Sequence, residues 1–98
     1  MTSREALRRL NRNREKLRTH HVRHIAVFGS TARDQATAHS DVDLLVEFDP
    51  EARVGLFAFV RLLDFLSDVM ATRIDLATPA ALRPEMREEI VSEAIRAF

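Results

Sequence analysis

Apolar positions along the chain follow two rhythms. Over residues 3–18, Leu7, Leu10 and Leu17 recur at helical spacing with Ala6 beside them, and the intervening positions are mostly Arg, Lys, Glu and Asn. This predicts an amphipathic helix with Ser3 as its N-cap. Residues 24–28 (His-Ile-Ala-Val-Phe) are a short apolar run that stops at Gly29, as a buried strand does. Gly29-Ser30 reads as a turn, residues 31–35 as one or two helical turns, and the small or polar residues 36–40 as a loop. Val42–Phe48 (Val-Asp-Leu-Leu-Val-Glu-Phe) is a second strand, ended by Asp49-Pro50. Residues 55–71 form a strong helix with two apolar stripes. One stripe is Leu56, Phe59, Val60, Leu63, Leu66 and Met70; the other is Ala58, Leu62, Phe65 and Val69. The second is expected to meet another chain, because so small a domain has little left to cover it. Residues 72–77 are a third strand, Thr78-Pro79 a turn, and residues 84–98 a last helix with Pro84 near its first position. The order predicts one α/β domain over residues 1–98, a small three-stranded mixed sheet flanked by helices.

Composition narrows the function classes. The 98 residues are 46% hydrophobic and 31% charged, an ordinary globular balance. No cysteine is present, which excludes disulfides and cysteine-ligated zinc. No long apolar run or signal-peptide pattern occurs, so the expected location is cytoplasmic with no membrane partner. Net charge is zero but polarised. Residues 1–24 hold eight Arg or Lys against two Glu, and residues 25–98 hold seven Arg against thirteen acids. A basic arm on an acidic body defines a directed surface or a solvated helix face. Without overall positive charge or an exposed aromatic platform, nucleic acid is not the expected partner.

Candidate chemistry concentrates in three places. Asp41 and Asp43 are two apart at the start of the second strand, so their side chains share a face. Paired carboxylates there repel each other and lose hydration, a cost that a divalent cation removes. All-oxygen ligands favour Mg²⁺ or Mn²⁺. Asp75 repeats the pattern on the third strand and approaches that row if the two strands pair. Gly29-Ser30 lies where a strand becomes a helix, a turn that offers backbone amides and a hydroxyl to phosphate. Arg33 lies one turn on, Ser40 adjoins Asp41, and His39 borders the acidic row. Singly, each has an ordinary structural explanation: a cap, a solvent-facing strand position, a connecting turn, a surface arginine.

Together they form an ordered pattern: Phe28-Gly29-Ser30-Thr31-Ala32-Arg33, then Ser40-Asp41-Val42-Asp43-Leu44, then Arg73-Ile74-Asp75-Leu76. This resembles the nucleotidyltransferase superfamily that includes DNA polymerase β, and in particular the minimal nucleotidyltransferases that serve as antitoxins in HEPN/MNT toxin–antitoxin pairs. The likeness covers residues 22–98. It implies a polymerase β-like fold. It also implies a triphosphate held by Gly29 and Ser30, with Arg33 and Ser40 as further nucleotide-binding candidates, and two Mg²⁺ ions bound by Asp41, Asp43 and Asp75. Asp75 would also help deprotonate the acceptor. The implied activity is transfer of AMP from ATP to a hydroxyl, a tyrosine by expectation, on a HEPN-type ribonuclease toxin in a hetero-oligomer. The chain has no tyrosine of its own to modify. The alternative is an antitoxin that inhibits by contact alone. One departure stands out: the family often has glycine directly after the arginine, and here the residue is Asp34.

Overall fold

The computed structural model describes residues 1–98. Its elements are α1 (Ser3–Arg12), α2 (Arg14–Thr19), β1 (Val22–Phe28), α3 (Gly29–Ala32), β2 (Val42–Phe48), α4 (Leu56–Met70), β3 (Ile74–Ala77), a 3-10 turn (Pro79–Ala81), α5 (Pro84–Glu93) and β4 (Ile95–Arg96). The sheet is mixed and runs β3-β2-β1-β4. β1 pairs antiparallel with both β2 and β4, while β2 and β3 are parallel. A parallel pair needs a crossover, and α4 supplies it. No helix is long and apolar enough to cross a membrane.

The α/β class and mixed sheet agree with the sequence, but the strand count is four, not three. The final helix stops at Glu93, Ala94 turns extended, and Ile95-Arg96 pair with Val27 and Ala26 of β1. Ile95 is β-branched, and the β1 edge offers it unpaired backbone groups that one more helical turn would not satisfy. The first helix is also divided. The Asn13 side chain donates to the Arg9 carbonyl at 2.8 Å, local bonding that competes with helix continuation. Its N-cap is Thr2, whose Oγ1 accepts the Glu5 N–H at 3.1 Å.

Strand alternation divides the sheet into two faces with different work. Ile25, Val27, Val42, Leu44 and Val46 point to one side and join Ala6, Leu10, Leu17, Leu62, Leu66 and Met70 in the buried core. α4 therefore buries a stripe of Leu62, Leu66 and Met70 at intervals of four. Each leucine, fully buried, contributes about 2–3 kcal/mol of apolar transfer. Leu62 and Phe65 thus belong to the domain itself, not to an interface with another chain: Leu62 is wholly buried and Phe65 stacks on His20 at 5.1 Å. The exposed apolar residues of α4 are at its first turns, Leu56, Phe57 and Val60. Arg9 ties α1 to the far end of α4, donating to the Met70 carbonyl at 2.8 Å. That carbonyl is one of the helix-end acceptors without an intrahelical partner. The opposite sheet face carries Asp43, Leu45 and Glu47 of β2, with Asp75 and Ala77 of β3, and α5 packs against β1.

Candidate active site

Register brings the two strand carboxylates together. Asp43 of β2 lies directly beside Asp75 of β3, and on its other side it faces Phe28, the last residue of β1. Neighbouring strands are about 4.8 Å apart, so the two carboxyls are within reach of each other. Burial pushes the Asp43 carboxyl up to about 6, and the negative charges of Asp75 and Asp41 and a shared hydrogen bond with Asp75 add to it. Asp41 is exposed, one residue before β2, with the Arg73 Nε at 3.8 Å. That ion pair is long and the Arg73 side chain is 90% exposed, so it offsets little of the negative charge.

Gly29 closes the site from the β1 side. It leaves the strand with φ 69, in the left-handed region that glycine enters freely. A β-carbon there would strike the Asp43 carboxylate oxygen and lie 3.1 Å from its Cγ. Glycine thus lets the turn sit against the carboxylate. Ser30 follows in the first turn of α3, partly exposed beside it.

Arg33 and Ser40 each make structural bonds, and the Arg33 charge also reaches Asp43, where it acts to lower the carboxyl. The Arg33 Nη1 donates to Glu93 Oε1 at 3.1 Å and its Nε to Gln35 at 3.2 Å, which fastens α5 over α3. Glu93 is 60 residues away, and no pattern around it in the sequence marks it as a partner. Ser40 Oγ accepts the Thr37 N–H at 3.0 Å and shapes the loop before β2. His39 is exposed in that loop. The irregular Asp34 has φ 56, the same left-handed conformation a glycine would take, which aspartate tolerates better than most residues. Its carboxylate accepts from Ser3 N at 2.8 Å and Ser3 Oγ at 3.2 Å. Ser3 is thus not the cap of α1 but the residue through which Asp34 holds the start of that helix.

The donor set suits a hard cation. Two carboxylates are in register and a third flanks them, with no nitrogen or sulfur ligand nearby. No three such groups converge closely enough to chelate an ion alone. That is the usual situation for Mg²⁺, which takes one or two carboxylates and completes its shell with water and substrate phosphates. The raised Asp43 carboxyl follows from the same geometry, chiefly its burial and then the charges of Asp75 and Asp41, with Arg33 opposing.

A Gly-Ser turn leaving one strand, set against carboxylates on the next two, is the arrangement of a nucleotidyltransferase. The comparisons agree. The nucleotidyltransferase domain family matches residues 7–97, and the chain belongs to it. The chain is 35% identical over 74 residues to the protein adenylyltransferase MntA of Thermococcus cleftensis, covering 76% of this chain and 73% of that one. A solved structure named for the minimal nucleotidyltransferases shares 34% identity and superposes with a TM-score of 0.78, covering 97% and 95% of the two chains. The fold also matches an MNT antitoxin in complex with a tri-AMPylated HEPN toxin of Shewanella oneidensis, with 18% identity, a TM-score of 0.61 and 91% and 70% coverage. The chain is a minimal nucleotidyltransferase of the polymerase β-like superfamily, and hence an enzyme by family.

Proposed function

We propose that this enzyme transfers AMP from ATP to a tyrosine hydroxyl of a HEPN-type ribonuclease toxin and silences it. The observation that carries the reading is the in-register Asp43–Asp75 pair pressed against the Gly29 turn. Relatives named as protein adenylyltransferases, and a fold shared with an antitoxin bound to an AMPylated toxin, support this choice of acceptor class.

In this proposal the Gly29-Ser30 turn receives the β- and γ-phosphates through backbone amides and the Ser30 hydroxyl. The α-phosphate then lies over Asp43. The acceptor oxygen bonds to the α-phosphorus as the bond to the bridging oxygen of the β-phosphate breaks, and pyrophosphate leaves. A phenol has an ordinary pKa near 10 and needs a base, and in this reading Asp75 serves as it, a role supported by its exposure beside Asp43. Asp41, Asp43 and Asp75 would hold Mg²⁺, which when bound neutralises charge developing on the phosphates. Arg33, fastened to Glu93, positions α5 in this scheme.

The test is transfer of label from α-labelled ATP to a HEPN-type toxin, alongside the toxin's ribonuclease activity. Asp43→Asn should abolish labelling and leave the ribonuclease active. A variant that labels nothing yet still silences the toxin would show inhibition by contact alone. Asp75→Asn should lower the single-turnover rate far more than ATP affinity.

A further inference from the structure

The sheet face that carries the carboxylates also holds a cavity of about 130 Å³, beyond the site described so far. Its floor is Ala26 of β1 and Leu45 of β2, which are cross-strand partners, and its wall is Val91 and Ala94 at the end of α5. Resting on the proposed reaction, we infer that this cavity seats the aromatic ring of the acceptor side chain, and that Leu45, Val91 and Ala94 set the enzyme's preference for a phenol over an aliphatic hydroxyl.

Three observations lead there. The first is direction. Attacking and leaving oxygens lie roughly in line across the phosphorus in phosphoryl and nucleotidyl transfer. The Gly29 turn lies on one side of the Phe28–Asp43 pair, so pyrophosphate departs that way. The Ala26–Leu45 pair lies on the other side, two residues along β2, or about 7 Å at the rise of a strand. A ring resting on that pair aims its hydroxyl toward Asp43 and Asp75.

The second observation is size. An apolar cavity of about 150 Å³ takes up one benzene ring, and this one, at about 130 Å³, is of that order. The third is the polarity of its far end. There Arg96 Nη2 lies 2.7 Å from His24 Nδ1, and Glu47 completes the rim. An apolar floor with a polar outer end matches a tyrosine whose ring is buried and whose backbone stays in water. The wall is held in place, because Arg33 grips Glu93 and β4 pairs with β1 on either side of Ala94.

The experiment uses the full chain with α-labelled ATP and Mg²⁺, and offers N-acetyltyrosinamide or N-acetylserinamide as acceptor. Tyrosinamide should be labelled with about tenfold or higher kcat/KM than serinamide. Ala94→Leu fills the cavity. Val91→Trp narrows it from a position already 48% exposed, so it does not threaten the core. Each should lower kcat/KM for tyrosinamide by about tenfold or more, with the ATP Kd within about twofold of wild type. Equal use of the two acceptors, or unaffected variants, overturns the inference. A second readout is independent of turnover: p-cresol should shift the methyl resonances of Ala26, Leu45, Val91 and Ala94 saturably, and adenosine should not. If neither acceptor is labelled, transfer to the toxin decides the proposed reaction, and the p-cresol titration still decides the cavity. Shifts at those methyls support the aromatic seat, and their absence, or shifts with adenosine instead, overturns it.

Discussion

Gly29→Ala separates two costs that the structure places on one atom. Gly29 has φ 69, where a β-carbon costs about 1 kcal/mol or somewhat more. That β-carbon would also collide with the Asp43 carboxylate, whose Cγ lies 3.1 Å away. Displacing a packed side chain costs about 1–3 kcal/mol, and the carboxylate is near the lower figure because its Cα–Cβ bond can rotate. The single variant should therefore lose about 2 kcal/mol of folding stability. In an Asp43→Ala background the collision disappears, since only the Asp43 β-carbon at 3.3 Å remains near the new methyl. Gly29→Ala should then cost about 1 kcal/mol, which leaves a coupling of about 1 kcal/mol between the two sites. Urea unfolding of the four proteins in EDTA measures the cycle, and labelling from α-labelled ATP follows activity. Gly29→Ala should lose transfer as fully as Asp43→Asn does, because its carboxylate is pushed out of line. Additivity within about 0.3 kcal/mol would refute the claim that Gly29 is there to admit the carboxylate.

Three further outcomes follow from the same geometry. Asp43 is pushed up to about 6 in the fold from an ordinary 3.8, so between these values the native state binds more protons than the unfolded chain. Metal-free stability should accordingly fall as pH rises from about 4 to 6, by about 1 kcal/mol once solvent screening is allowed for, and Asp43→Asn should flatten that slope in urea titrations. Asp34→Ala should cost about 1–2 kcal/mol in thermal unfolding, because it combines left-handed strain with loss of the Ser3 bonds, whereas Asp34→Gly should lose only the bonds. Ser30→Ala should weaken ATP binding by about 1 kcal/mol in calorimetry, and an unchanged Kd would remove Ser30 from the phosphate site.

The parts of this protein legible in the sequence are those whose signal is local. Asp41 and Asp43 open an apolar run two residues apart, and period-two alternation sets them on one face, although in the fold β2 begins only at Val42. Whether β2 pairs with β3 stayed a condition in the sequence, and the parallel register of the fold is what brings Asp43 beside Asp75. Features held by distant contacts left no such trace. β4 has two residues and exists because β1 offers it an edge, a fact invisible within residues 84–98. Arg33 and Glu93 meet across 60 residues, and Ser3 and Asp34 across 31. The α4 stripes misled for a related reason: the core-facing stripe depends on where α1 and α2 pack, so Leu62 turned inward and Leu56 and Phe57 outward. The cavity at Leu45 needed α5 in place before it existed at all.

A chain of 98 residues has one sheet with which to be both stable and chemically useful, and it divides these tasks between the two faces. The helical face supplies nearly all of the buried core. The other face gathers Asp43, Asp75 and the flanking Asp41 under light cover, where mutual repulsion and partial burial oppose folding. Small domains bury a modest fraction of their surface, so a penalty of even 1 kcal/mol there is a substantial part of the total. Whatever neutralises that corner must give the energy back as binding. A ligand selective for the native state adds RT ln(1 + [L]/Kd), about 2.7 kcal/mol at a hundredfold excess over Kd. Mg²⁺ with a non-hydrolysable ATP analogue should therefore raise the Tm of the wild-type chain by several degrees. In Asp43→Asn, where the repulsion is already relieved and a ligand oxygen is lost, the rise should shrink while the unliganded Tm is higher. An equal rise in both proteins would mean that the carboxylate face is not where nucleotide and cation meet.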